Sequence, residues 1–84
     1  MLPDVTEVKY LGDFRLFLRF SDGLEGEVDL AEELYGEVFE PLKNQDYFRQ
    51  VRVDPEIGTI CWPNGADFAP EFLHDCVAAA PRRA

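Results

Sequence analysis

The 84-residue sequence has few of the histidines and cysteines that build many metal sites and nucleophilic sites. It contains one histidine and two cysteines, and the cysteines form no Cys-x-x-Cys pair. Its carboxylates do not follow the spacing of an EF-hand loop, and its glycines lack the Lys-Ser/Thr pair of a phosphate-binding loop. The sequence therefore predicts a protein that is not an enzyme and that binds neither a metal nor a cofactor.

Basic residues and long apolar runs are also scarce. Lysine and arginine number 8 against 17 aspartates and glutamates, which gives a formal net charge of −9. A chain with this charge repels nucleic acid and anionic membranes and favours a basic protein partner. No apolar run approaches the ~20 residues of a membrane span, and the N-terminus has no signal-peptide pattern. We therefore predict a cytoplasmic protein with reduced thiols, and no direct contact with nucleic acid or a membrane.

The composition is nevertheless that of a folded protein. Hydrophobic residues make up 46% of the chain and aromatic residues 13%. A chain of this length supports one modest core, so residues 1–84 are predicted to form a single domain, with a frayed tail at 81–84.

The first half of the chain has the alternating pattern of antiparallel strands. Apolar and polar residues alternate over 14–20 and again over 24–30, with a weaker first strand over 5–10. A turn at 11–13 separates the first two strands. The three segments predict a three-stranded meander.

The loop Ser21–Asp22–Gly23 predicts the register of the second and third strands. A three-residue loop that ends in a left-handed glycine places Phe20 opposite Leu24 and Arg19 opposite Glu25. All apolar side chains but that of Phe17 then share one face. The other predicted pairs are Phe14–Leu30, Leu16–Val28, Leu18–Gly26 and Arg15–Asp29.

The second half predicts short helical segments, a hairpin and a terminal helix. A short helical connection begins with a turn over 31–35, which Gly36 ends, and continues with apolar residues at helical spacing around Pro41. A turn over 45–48 follows, with Asn44 as its cap. Strands over 49–53 and 59–62 form the hairpin. Pro70 suits the first position of a helix that packs on the apolar face of the sheet. The fold class is therefore α+β, and the apolar stripe of the helix comprises Phe68, Phe72, Leu73, Cys76, Val77 and Ala80.

Three motifs make the chain recognisable. They are Phe-Ser-Asp-Gly at 20–23, Val-Phe-Glu-Pro-Leu at 38–42 and Ile-Cys-Trp-Pro-Asn-Gly-Ala-Asp-Phe-Ala-Pro at 60–70. Together they resemble the DUF2442 family of domains of unknown function, from about Val5 to Leu73. The resemblance implies a small α+β domain without catalytic residues, found alone or joined to a helix-turn-helix domain. It also implies that some members act as the antitoxin of a two-protein pair. Ala69 departs from the family, which often has Ser before this Pro.

An acidic run from Asp22 to Glu40 forms the first candidate surface. It holds eight acidic residues and no basic ones, and Arg15 and Arg19 can neutralise only two of them. One interpretation is a solvated face, with Phe17 covering the arginine stems. The other is a docking edge for a basic protein, with Phe17 as an apolar anchor. The carboxylates considered for docking include Glu27, Glu32 and Glu33, and those without a partner nearby in sequence are Glu27, Glu32, Glu33, Glu37 and Glu40.

The loop from Trp62 to Asp67 forms the second candidate surface. Asn64, Gly65 and Asp67 could expose backbone N–H groups in a small notch beside Trp62. The alternative is a turn in which Asn64 and Asp67 satisfy local backbone groups. A triad of Cys61, His74 and Asp67 is disfavoured, since Cys61 lies in an apolar strand and His74 on the polar side of the helix.

These observations predict a non-enzymatic protein-interaction module, antitoxin-like, whose partner is a basic protein. A homo-oligomer is compatible with the sequence. The alternatives are a small-molecule-binding or enzymatic domain centred on Trp62 to Asp67, and a DNA-associated regulator that acts through other chains.

Overall fold

A computed structural model describes residues 3–79 of the chain. The predicted tail at 81–84 and the predicted stripe residue Ala80 lie outside the described residues. The fold is α+β, as predicted, with two antiparallel sheets, short helices and a C-terminal helix. The described residues include no helix long and apolar enough to cross a membrane. In chain order the elements are β1 (Val5–Gly12), β2 (Arg15–Phe20), β3 (Glu25–Asp29), two 3-10 helices (Ala31–Glu33 and Glu37–Lys43), α1 (Gln45–Phe48), β4 (Arg52–Asp54), β5 (Thr59–Cys61) and α2 (Pro70–Ala79).

The first sheet has the strand order β1-β2-β3 and the predicted register. Arg19 lies opposite Glu25, and the Phe20 N–H donates to the Leu24 carbonyl at 2.8 Å. Gly23 closes the loop with a φ of +92°, the left-handed conformation that glycine adopts most readily. The burial of side chains on the two strands confirms the predicted apolar face. The buried residues on that face are Leu16, Leu18, Phe20 and Val28.

The turn between β1 and β2 differs from the prediction. β1 continues to Gly12, which pairs with Arg15, and the turn consists of Asp13 and Phe14. Asp13 has a φ of +52°, a conformation that aspartate tolerates better than most residues. Phe14 was therefore wrongly assigned to the strand. Its ring packs edge-on against Phe48, with 5.2 Å between centroids.

Arg19 links all three strands on the outer face of this sheet. Its guanidinium donates to Glu25 on β3 at 2.9 Å and to Glu7 on β1 at 2.8 Å. Arg15 behaves differently, because its nearest carboxylate is that of Glu27 at 3.7 Å rather than that of its cross-strand neighbour Asp29. Asp29 instead accepts the Ala31 N–H at 2.9 Å. The predicted Arg15–Asp29 charge pair is therefore wrong, although the register is right.

β4 is shorter than the predicted strand because α1 is prolonged by further turns. Asn44 caps α1 as predicted, its side chain accepting the Asp46 N–H at 2.8 Å. The Arg49 N–H then bonds to the Gln45 carbonyl and the Val51 N–H to the Phe48 carbonyl. The chain becomes extended only at 52–54, where it pairs with β5.

Two contacts join the separate parts of the fold. The Val5 N–H donates to the Gly58 carbonyl at 2.9 Å, which ties β1 to the turn between β4 and β5. α2 lies over β3, where a β-carbon on Gly26 would stand only 3.0 Å from Cγ1 of Val77. The helix therefore packs on the apolar face of the sheet, as predicted, and it buries Leu73 and Val77.

We predict that Arg19 and Glu25 are coupled across the hairpin. A double-mutant cycle on Arg19→Ala and Glu25→Ala should give a favourable coupling that salt weakens, because both side chains are solvent-exposed. The same cycle on Arg15 and Glu27 is the control. Its coupling should be smaller, because those groups lie 3.7 Å apart. Equal couplings in urea denaturation would contradict the special role of Arg19.

Candidate functional site

Trp62 is a core residue rather than part of an exposed surface. It is 1% exposed, and its indole N–H donates to the Phe48 carbonyl at 2.7 Å. Its ring also lies against those of Phe48 and Phe68, at centroid distances of 5.5 and 5.9 Å. The structure therefore places Trp62 in the core, with its indole N–H already bonded, rather than on the interaction surface that the sequence predicted.

The turn after Trp62 satisfies its own backbone groups. The Asn64 side-chain oxygen accepts the Ala66 N–H at 3.0 Å, and the Gly65 N–H donates to the Trp62 carbonyl at 2.9 Å. Gly65 has a φ of +88°. Asp67 is exposed and forms an isolated antiparallel bridge with Cys61. For Asn64, the interpretation as a structural turn is the one that the geometry supports.

Asn64 also connects the two candidate surfaces. Its side-chain N–H donates to the Val38 carbonyl at 2.9 Å, across 26 residues of sequence. Val38 belongs to the second 3-10 helix and to the acidic run. The loop after Trp62 therefore holds one end of the acidic run against the body of the protein.

Some carboxylates of the acidic run have basic partners that the sequence did not indicate. Glu27 lies 3.7 Å from Arg15, and Glu40 lies 3.2 Å from Lys43. Both were predicted to lack a partner. Glu32 is exposed and Glu33 half-buried, and with Asp29 and Ala31 they line a shallow depression at the end of β3. Among residues 3–79, no three metal-ligating side chains are placed to hold an ion.

Phe17 was predicted to be exposed, but its side chain is half-buried. Nζ of Lys9 lies 5.7 Å from its ring centroid and Cζ of Arg19 lies 5.8 Å away. Both cations are within the range of an attractive cation–π contact. The geometry therefore favours Phe17 as a support for basic side chains over Phe17 as an anchor for a partner.

Tyr35 is the exposed aromatic residue that the sequence analysis missed. It is 71% exposed and stands between Glu33 and Glu37. Gly36, with a φ of +93°, turns the chain directly after it. Its position in a polar turn outside any alternating strand was the available signal, since such a residue has no core face to occupy.

His74 pairs with Asp22 rather than with Asp67 or Cys61. Its Nε2 lies 2.9 Å from Oδ2 of Asp22, and its ring stands edge-on to Phe20 at 4.9 Å. The hydrogen bond to His74, helped by one from the Leu24 N–H, lowers the pKa of Asp22. This pair fastens α2 to the loop between β2 and β3, so its role is structural.

The two cysteines are free thiols in protected positions. Cys61 is buried in β5, and Cys76 is half-buried on α2. Burial raises the pKa of the Cys76 thiol, and the carboxylates of Glu33 and Asp75 raise it further. An environment of this kind disfavours the thiolate that a nucleophile requires.

We predict that Asp22→Asn lowers the free energy of unfolding near neutral pH. Asparagine can still accept the Leu24 N–H but carries no charge for His74. A depressed carboxyl pKa stabilises the fold above the unfolded value of about 3.9, and this stabilisation is lost as pH falls through the folded-state pKa. The difference between wild type and Asp22→Asn should therefore shrink as pH falls below about 4, where the carboxyl becomes protonated. Denaturation midpoints between neutral pH and pH 3 would test this, and a constant difference would contradict it.

We also predict that both thiols react slowly with a thiol reagent in the native protein at neutral pH. Cys76 should react faster as pH rises, because its thiolate becomes populated. Cys61 is buried, so its reaction should be limited by local unfolding. The variants Cys61→Ser and Cys76→Ser assign each rate. Rapid labelling of Cys61 in the folded protein would support a nucleophilic role instead.

Comparison with known proteins identifies a family for the chain. No curated protein and no solved structure gives a significant match to the chain. One family model matches residues 5–75, which is most of the sequence and includes all three motifs. The chain belongs to the family described as a protein of unknown function, DUF2442.

Proposed function

We propose that this protein is a non-enzymatic interaction module that binds a basic protein, as the acidic, antitoxin-like member of a two-protein pair. The observation that carries the proposal is Tyr35. This side chain is 71% exposed within a stretch that contains eight acidic residues and no basic ones. An exposed aromatic residue flanked in sequence by carboxylates combines an apolar anchor with nearby negative charge.

Tyr35 and the carboxylates near it in sequence contribute to different quantities, the ring to the binding energy and the charges to the association rate. Tyrosine is enriched among the residues that dominate binding energy, because it buries a large rigid area and also offers a hydroxyl group. Carboxylates around it attract a basic surface and raise the association rate at low salt. Val38, 45% exposed and held by Asn64, adds apolar area to the same segment.

The alternative functions have weaker support. A small-molecule or enzymatic site centred on the loop from Trp62 to Asp67 would need accessible groups there. Trp62 is buried, and the Asn64 side chain is occupied at both ends. A DNA-associated role would need other chains to supply positive charge, because this chain carries a formal charge of −9.

The proposal predicts different effects for charge and for the aromatic ring. With the partner isolated from the native host, Glu32→Lys should slow association several-fold at low salt, because it reverses a steering charge. Tyr35→Ala should instead speed dissociation by about tenfold, because it removes the anchor. The matched controls are Glu56→Lys and Ile57→Ala in the turn between β4 and β5. They repeat the charge change and the apolar truncation at exposed positions elsewhere.

Surface plasmon resonance at two salt concentrations would measure both rate constants. If Tyr35→Ala and Ile57→Ala dissociate alike, Tyr35 is not the anchor. If Glu32→Lys and Glu56→Lys associate alike at low salt, the acidic run serves solubility and not partner recognition.

A further inference from the structure

β3 is an edge strand, and its register shows which backbone groups point away from the sheet. The Phe20 N–H donates to the Leu24 carbonyl, and the Leu30 N–H donates to the Phe14 carbonyl. Antiparallel strands alternate hydrogen-bonded and non-hydrogen-bonded pairs. The even-numbered residues of β3 therefore bond to β2. The odd-numbered ones, Glu25, Glu27 and Asp29, direct their N–H and C=O groups outward.

This outer edge is open within the described part of the chain. No other strand pairs with β3 among residues 3–79, and Glu25, Glu27 and Asp29 are all exposed. α2 covers the inner face of β3 at Gly26 and leaves the edge itself free of backbone pairing. An unpaired edge of this kind is a template for another extended segment.

We propose that the open edge of β3 binds an extended segment of the basic partner as a fourth strand of the sheet. Lysine or arginine at every second residue of that segment would share the outer face with the acidic side chains of β3. The inference rests on the proposed function and specifies where and how the partner docks.

The charges on β3 decide which segment can occupy the edge. Successive side chains on its outer face are Glu25, Glu27 and Asp29, and Glu27 is 61% exposed with only a 3.7 Å contact to Arg15. Opposite charges on neighbouring strands attract, whereas like charges directly opposite each other destabilise the pairing. A cationic segment is therefore favoured over a neutral or acidic one.

The same charges disfavour pairing of this edge with a second copy of this chain. Antiparallel pairing of two β3 strands about a twofold axis would place Glu27 opposite Glu27, and Glu25 opposite Asp29. Short, charged edges generally protect proteins from association with themselves. On β3 all the edge charges are negative. They therefore repel an identical strand and attract a basic one.

A synthetic peptide of about seven residues, a typical strand length, with lysine and valine alternating, provides the probe. On binding, the Glu27 and Asp29 amide protons should become protected from hydrogen exchange, because they acquire acceptors. The amides of Gly26 and Val28 should already be protected in the free protein, because they bond to β2. Nuclear magnetic resonance would report all four sites in the full-length chain.

Two matched peptides separate strand addition from charge attraction alone. N-methylation at alternate residues removes the edge-facing N–H donors in one register and the solvent-facing donors in the other, with all lysines kept. One of the two should bind about tenfold more weakly than the parent, because it loses several hydrogen bonds. The other should bind nearly as the parent does.

A pair of protein variants tests strand addition by changing β3 instead of the peptide. Glu27→Pro removes an outward N–H and the charge, and proline is tolerated where a strand's N–H faces solvent. Glu27→Gln removes only the charge. Glu27→Pro should lower the affinity for the peptide about tenfold more than Glu27→Gln does. The Gly26 and Val28 amide signals report whether the sheet remains intact.

The possible outcomes distinguish the two proposals. Equal affinity of both N-methylated peptides, with unprotected Glu27 and Asp29 amides, would overturn strand addition. The proposed function would still hold if Glu32→Lys slows association with the native partner. Absence of peptide binding at low salt would also overturn strand addition. If the native partner protects Glu27 and Asp29 although Tyr35→Ala has no effect, the edge is the docking site and the assignment of Tyr35 fails.

Discussion

The hydrogen bond from the Trp62 indole to the Phe48 carbonyl is the constraint on which the arrangement of the second half depends. Both groups are buried, so each would carry a desolvation penalty without the other. The bond fixes the end of α1 against the end of β5. Phe68 packs on the same indole, and its carbonyl accepts the Thr59 hydroxyl at 2.6 Å. The chain thus leaves β5, turns and enters α2 along a path that two buried hydrogen bonds define.

This core also determines how the acidic run is presented. Asn64 lies in the turn that Trp62 begins, and it holds the Val38 carbonyl. The segment that carries Tyr35 is therefore attached near one end to a rigid turn and, at the other, to β3 through Asp29 and Ala31. A partner that binds there would meet a surface already ordered, which lowers the entropic cost of association.

The sequence predicted the features that follow from periodicity and local capping. The register of β2 and β3, the Asn44 cap and the helix from Pro70 each depend on residues close together in the chain. It did not predict where Trp62 would lie, because the acceptor for its N–H is a carbonyl 14 residues away. Rarity made Trp62 look functional, whereas burial makes it structural. For Phe17, the sequence left two interpretations open, a cover for the arginine stems and an anchor for a partner. The contacts of its ring with Lys9 and Arg19 favour the first.

The loop between β2 and β3 has a further consequence for engineering. Hairpin tips normally accept inserted segments, because little outside the hairpin depends on them. Here Ser21 exchanges hydrogen bonds with the backbone of Asp4, at 3.0 and 2.8 Å. Asp22 holds His74, which is 52 residues away in the chain. A tag placed in this loop would break contacts to both the entry to β1 and the C-terminal helix, so the loop links the two ends of the described domain.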